Sequence, residues 1–532
     1  MNNNNMRRDI KTFALTMTGL GSIIGSGWLF GAWRAAEVAG PAALIAWILG
    51  TLIILFIGLT YAELGTMFPE AGGMVRYAQF SHGSLTGFIS GWANWIAIVS
   101  VIPVEAEASA QYMSSWPFDW AKALYNGQDL SATGLLIAAV LVVVYFLFNY
   151  FTVKLFARVN TTITIFKFII PGLTILGLLI AGFHSKNFTH YNGFMPHGWA
   201  GILTAIATSG IVFAFNGFQS PVNMAGEARN PQRSIPIAVI GSILMAGVIY
   251  ILLQLAFIGA VKPDMLTHGW EHIQLNSPFA DLALAWGLNW LALLLFADAF
   301  VSPSGTGMTY TATTARMIYG MERNGYFPKV FGFVNPKVGV PRAAMWLNLV
   351  VSFIFLFLFR GWGSLASVIS VATLISYVTG PISVMVFRRY GDDIVNRPLK
   401  IKGMQIIAPI AFIMASLIYY WAQWPLTGKV TLIMVIGLPI YFFYQAKANW
   451  KGFGQDLKAG LWLVIYLIYM AFISCIGSSK FHGHNIIPYG WDFIIIIISA
   501  LIFYFWGIRS GYLTKDLKNG YQPNQGEMDA GR

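Results

Sequence analysis

Apolar residues run along this chain in stretches of about twenty, separated by short polar gaps, from residue 12 to residue 508. A helix needs roughly 20 mostly apolar residues to cross hydrocarbon. Fourteen stretches meet that need: 12–36, 41–64, 84–112, 133–151, 159–182, 201–223, 235–260, 288–316, 343–360, 364–387, 405–423, 430–446, 459–477 and 491–508. The pattern predicts an all-α integral membrane protein with about fourteen transmembrane helices. The sizeable hydrophilic stretches are loops and the tail from Lys515 to Arg532. The beginning, polar through Asn5 and basic at Arg7, Arg8 and Lys11, resembles a signal peptide. Its apolar stretch is long, glycine-interrupted and followed at once by a second span, so it reads as a retained first helix.

Composition agrees. Of 532 residues 57% are hydrophobic and only 10% charged, against about 25% charged in ordinary soluble domains. The net charge of +12 does not point to nucleic acid, because it follows the loops. With the N-terminus inside, the inner segments hold 25 Lys and Arg and the outer loops 6, with Arg34 and Lys167 inside spans. This positive-inside asymmetry predicts an even number of spans, both termini cytoplasmic, in the cell inner (plasma) membrane. The single cysteine, Cys475, excludes an intramolecular disulfide. The sequence carries no nucleophile–base signature, phosphate loop or cysteine–histidine metal spacing, and His482 and His484 read as exposed loop residues. No enzyme activity, cofactor or metal is expected.

Two spans are interrupted. The first reads Gly19-Leu-Gly21-Ser-Ile-Ile24-Gly25-Ser26-Gly27-Trp28, and each glycine costs a helix about 1 kcal/mol relative to Ala. The Gly21-x-x-x-Gly25 spacing also suits close helix packing. The sixth span contains Phe213-Ala214-Phe215-Asn216-Gly217-Phe218-Gln219-Ser220-Pro221. Unwound backbone in a membrane belongs where it lines a cavity, and paired breaks in corresponding helices of two repeats mark transporter binding sites. Freed N–H groups suit a carboxylate and freed carbonyls an ammonium. An α-amino acid presents both.

With these breaks the chain resembles the amino acid–polyamine–organocation (APC) superfamily of permeases. The resemblance rests on Gly25-Ser26-Gly27 with Gly40-Pro41-Ala42, on Tyr61-Ala-Glu63-Leu with Phe68-Pro69-Glu70-Ala-Gly72-Gly73, on Glu227-Ala-Arg229-Asn230-Pro231-x-Arg233-x-Ile235-Pro236, and on Ala315-Arg316-x-Ile-Tyr319-Gly-Met-x-Arg323-Asn-Gly325-x-x-Pro328. It covers roughly residues 10–450. It implies a five-plus-five inverted-repeat core with broken helices 1 and 6, working by alternating access. It implies an amino acid bound at Ile24, Gly25, Ser26 and Gly27 and at Phe213, Ala214, Phe215 and Asn216, with Phe213 or Phe215 as an aromatic lid. Either phenylalanine also reads as ordinary core or lipid contact.

Ionisable residues inside spans are functional candidates by default. Lys167 resembles the fifth-helix lysine of proton-coupled family members, which implies proton coupling and contacts to carbonyls of the first helix and of span 8. A fixed structural cation is the other reading. Glu105 and Glu107, two apart, do not share a helix face, and one of them could face the central cavity. Arg34 either recognises the second carboxylate of aspartate or glutamate or is neutralised by a glutamate. Asp298 is a third acidic candidate or a paired structural one. Gln219 stands where some exchangers of the family carry a glutamate gate. The Gly27-to-Trp33 stretch resembles aspartate-type proton symporters.

The sequence therefore predicts a secondary transporter importing an amino acid, first an acidic one, by proton symport in the lipid bilayer. The alternatives are an exchanger, a proton symporter for neutral or cationic amino acids or polyamines, and, from another class, a channel or membrane receptor. The expected organisation is a cytoplasmic N-terminus at 1–11, a ten-helix transport core at 12–390, helices 11–12 at 391–450, two further helices at 451–510, and a cytoplasmic tail at 511–532.

Overall fold

The computed structural model describes residues 10–69, 73–127, 129–151, 153–334, 341–390, 395–514 and 517, with the backbone alone for 153–165. Most of the expected N-terminal segment and tail, Glu70 to Gly72 of the second motif, and the side chains of Lys154, Arg158 and Asn160 lie outside the described residues.

The described chain is built of α-helices. The first apolar stretch forms α1 (Thr12–Ile23) and α2 (Gly27–Ala39), with non-helical Ile24 between them. There follow α3 (Ala43–Met67), α4 (Gly73–His82), α5 (Ser84–Met113), the single turn α6 (Asp119–Lys122), α7 (Ala132–Phe151) and α8 (Val153–Ala181). The sixth stretch forms α9 (Gly198–Thr208), α10 (Ile211–Ala214) and α11 (Ser220–Asn223). Then come α12 (Pro231–Ala260), α13 (Pro278–Ala285), α14 (Asn289–Arg323), α15 (Arg342–Leu358), α16 (Trp362–Tyr377), α17 (Thr379–Arg388), α18 (Met404–Trp421), α19 (Leu426–Lys447), α20 (Phe453–Ile476) and α21 (Trp491–Ser510). Among the described residues, ten helical segments are long and apolar enough to cross a membrane by length and composition. Each of the fourteen predicted stretches coincides with helix.

The outer faces show what solvent the fold expects. Ile180 is 84% exposed and Leu293 70%, positions that a water-facing helix fills with charge. Inside, α5 is buried along its whole length and packs against α14 and α16. Residues of α5 therefore see other helices on every side, which places its two glutamates in the interior.

Two differences from the predicted elements have local causes. The sixth span loses its helix at Thr208, earlier than the Asn-Gly-Phe-Gln segment suggested, because Gly210 turns the chain at φ +82°. A buried helix, α4, precedes the third span where no element was predicted. Its His82 Nε2 lies 2.9 Å from Gly507 O of α21. Asp456 of α20 accepts from the Ser84 amide at 3.1 Å and bonds the hydroxyls of Ser84 and Tyr512. The last two helices thus grip the junction of α4 and α5.

At the end of α3, the fully buried Glu63 accepts two hydrogen bonds from the Arg388 guanidinium, at 2.7 and 2.6 Å, and one from the Ile401 amide at 3.0 Å. A buried carboxylate needs such a complete set of donors.

Candidate functional site

The two breaks meet backbone to backbone. Gly217 has φ +121°, and a Cβ there would come within 2.6 Å of the Ser22 carbonyl. A Cβ on Gly27 would come within 2.9 Å of Ala214 Cα. Glycine is required at both points by close approach and, at Gly217, also by a conformation that side chains disfavour.

The carbonyls freed by unwinding have partners. The Tyr250 hydroxyl donates toward Ile23 O (3.2 Å) and Ala214 O (3.0 Å), so one phenol bridges both breaks. The Tyr310 hydroxyl lies 3.3 Å from Ser22 O and 3.4 Å from Asn216 O, again one from each break. Lys167 Nζ donates to Gly21 O at 3.0 Å and to the Thr306 hydroxyl at 2.6 Å. The lysine thus reaches the first helix and span 8 as expected, but touches span 8 through a side-chain hydroxyl rather than a carbonyl.

Glu105 takes the amide side. Its Oε2 accepts from the Ser26 N–H at 2.9 Å, and a Cβ on Gly25 would sit 2.6 Å from its Oε1. Lys167 lies within electrostatic reach of this carboxylate. Glu107 points elsewhere: it is buried, and neither carboxylate oxygen has a hydrogen-bond partner among the described residues. The two-residue spacing therefore does give them different surroundings.

Ser22, Gly25, Glu105, Phe213, Asn216 and Thr306 help enclose a cavity of about 10 Å³, room for roughly one water. Phe213 lines it and meets Trp362 edge to face at 5.7 Å, and Trp362 stacks on Phe30 at 5.0 Å. Trp362 Nε1 also donates to the Ser26 hydroxyl at 2.8 Å. Phe215 instead packs against Trp47 and Tyr250, away from the cavity. Asn216 presents a buried Nδ2 with no hydrogen-bond partner among the described residues, while its Oδ1 accepts from Gln219 Nε2 at 2.8 Å. Gln219 Oε1 accepts from the Gly217 amide (2.9 Å) and the Tyr377 hydroxyl (3.2 Å), so Gln219 braces the second break.

Arg34 lies two turns along α2 from Ser26. It pairs with Glu37 at 2.8 Å and stacks over Trp33 at 4.1 Å. Its neutralising glutamate is a neighbour on the same helix, not Glu105 or Glu107. Sequence reasoning missed Trp362, Tyr250, Tyr310 and Thr306. The dense run of Ser and Thr through α14 was the available signal for Thr306.

The model of the family described as amino acid permease matches residues 10–445. The glutamate/serine transporter AimA of Bacillus subtilis is 63% identical over 99% of this chain and 100% of its own length. The aspartate-proton symporter of the same organism is 39% identical over 95% of this chain and 97% of its own length. A third B. subtilis relative, the branched-chain amino acid permease BcaP, is 26% identical over 83% of this chain.

Proposed function

The chain belongs to the amino acid permease family of the APC superfamily, a multi-pass membrane transporter of amino acids, and we propose that it imports acidic and small hydroxylated amino acids, glutamate, aspartate and serine, by proton symport. The observation that carries this reading is the arrangement around Ser26. The carboxyl group of Glu105 sits on the amide of the first break, and the amine of Lys167 sits on its carbonyl side. A site that sets an acid and an amine on opposite ends of unwound backbone suits the carboxylate and ammonium of an amino acid.

In this reading Ile24 to Gly27 and Phe213 to Asn216 hold the α-carboxylate and α-ammonium, and Phe213 with Trp362 closes over them. The free Nδ2 of Asn216 donates to a side-chain carboxylate or hydroxyl, which suits the substrates named for the two most similar relatives reported above. Arg34, outside the lid, draws acidic substrates to the entrance. Lys167 exchanges a proton during the cycle, since desolvation makes a buried lysine able to do so. The ten-helix core at 12–390 works as two inverted five-helix repeats by alternating access, in the cell inner (plasma) membrane with both termini cytoplasmic. Helices 11–12 at 391–450 and the two at 451–510 stand outside that core.

The test is uptake of radiolabelled amino acids into proteoliposomes with and without an inward proton gradient. Accumulation of glutamate, aspartate or serine only with the gradient supports the proposal. Uptake only into vesicles preloaded with amino acid makes the protein an exchanger and Lys167 a fixed cation.

A further inference from the structure

Asp298 lies in α14, two turns from Thr306 on the Asn289 side, and is 3% exposed. Neither of its carboxylate oxygens has a hydrogen-bond partner among the described residues, and neither does the buried hydroxyl of Ser302 one turn on. Leaving an ionised carboxylate buried and unpartnered is costly. Residues at i, i+4 and i+8 share one helix face, so Asp298, Ser302 and Thr306 form a polar line about 12 Å long along α14. At its inner end the Thr306 hydroxyl accepts from Lys167 Nζ at 2.6 Å. It also lies 3.3 Å from Ser302 O.

The surroundings continue the line outward. α14 packs against α5, α7, α8, α13 and α15. In this half of the bundle these bring Glu105, Glu107 and Tyr112 from α5, Tyr145 from α7, Lys167 from α8 and Asp281 from α13; α15 brings only Arg342 at its far end. Lys167 and Tyr112 both lie within electrostatic reach of Asp298. The Ser277 hydroxyl, next to α13, donates to Tyr112 O at 3.1 Å, and Asp281 accepts from the Ser277 amide at 2.8 Å. Asp281 and Ser277 thus lie at the α13 end of the region that holds Asp298.

We propose that Asp298 is the outer proton donor of the transport cycle, passing a proton along Ser302 and Thr306 to Lys167. The Asp298 carboxylate takes a proton from the aqueous side and becomes a carboxylic acid. It gives that proton to the Ser302 hydroxyl side of the line, through bridging water where a one-turn gap separates the groups. Each hydroxyl accepts one proton and releases another, so neither changes. The free amine of Lys167 ends as ammonium and Asp298 returns to carboxylate. This rests on the proton-symport reading above.

The experiment compares wild type, Asp298→Asn, Asp298→Glu and Ser302→Ala in proteoliposomes, measuring gradient-driven accumulation and, separately, counterflow of labelled against unlabelled glutamate, which needs no net proton movement. Asp298→Asn is expected to lower driven accumulation about tenfold or more and to leave counterflow near wild type. Asp298→Glu restores accumulation with a displaced pH midpoint, and Ser302→Ala slows accumulation alone. Wild-type accumulation and pH profile in Asp298→Asn would overturn the proposal. So would equal loss of counterflow and accumulation, which marks a structural role. Wild type that shows counterflow but no gradient-driven accumulation defeats the symport reading itself, separately from Asp298. If Asp298→Asn does not fold, Ser302→Ala decides: unchanged accumulation overturns the line.

Discussion

The carboxylate of Glu105 rests on the backbone amide of Ser26, 2.9 Å away. That amide belongs to the stretch in which a bound amino acid would place its own carboxylate. The protein thus supplies from α5 the same chemical group that its proposed substrate brings. On the proposed binding mode, substrate and Glu105 would compete for one donor.

Competition predicts the behaviour of Glu105→Ala. With the internal carboxylate removed, the Ser26 amide is open, and glutamate should bind several-fold tighter in titration calorimetry, with a flattened pH dependence of Kd. A loss of affinity at every pH would show that Glu105 contributes to binding rather than competing with it. Some loss of thermal stability is expected too, because Lys167 is left with a buried, less balanced charge.

Lys167→Ala separates coupling from binding. Gradient-driven accumulation should vanish while counterflow persists in part. Normal proton-driven accumulation in that variant would remove Lys167 from the coupling.

Arg34 is tied to Glu37 and Trp33 rather than to the cavity, so its influence should appear at entry. Arg34→Ala is expected to raise the KM for aspartate and glutamate more than for serine, leaving kcat similar. Equal increases for all three would make the Arg34–Glu37 pair purely structural.

Asp281 accepts from the amides of Asn276 and Ser277 at the start of α13, and burial pushes its carboxyl up from 3.8 to about 6. A raised folded-state pKa means that protonation favours the fold. Its contribution is fully present below about pH 4 and is lost as pH rises through 6. Asp281→Asn should therefore abolish a drop in Tm that wild type shows between about pH 4 and pH 6. An identical drop in the variant would place its origin elsewhere.

Gly217→Ala tests the crossing of the two breaks. Backbone at φ +121° with a Cβ 2.6 Å from the Ser22 carbonyl should cost about 1–3 kcal/mol for the conformation alone, and more for the clash. Thermal unfolding in detergent should show a lower Tm together with lost glutamate binding; a variant with wild-type Tm would mean that the breaks can separate freely.

The sequence made some of this readable for definite reasons. Closely spaced glycines at 21, 25 and 27 weaken a helix, and a lysine in hydrocarbon is anomalous wherever it stands, so the first break and Lys167 were visible. Tyr250, Tyr310 and Trp362 were not, because an aromatic residue in an apolar run has core and lipid contact as its ordinary fate. Only the approach of two distant breaks gives their hydroxyls and indole a task. Phe213 and Phe215 could not be told apart without the turn at Gly210, which aims the first at the cavity and the second at Trp47. The Arg34–Glu37 spacing of three was legible, yet the more deeply buried glutamates of α5 drew the reading away from it.

The pairing of Glu63 with Arg388 has a consequence in time. The two are separated by 325 residues, which at typical synthesis speeds of 5–20 residues per second is roughly 16 to 65 s of translation. Until Arg388 and the Ile401 amide have emerged, α3 carries an acid that has no native partner. The early helices must therefore wait, loosely associated or with that acid protonated, before α3 can settle into its final depth. A chain cut anywhere before residue 388 leaves that carboxylate without its Arg388 partner.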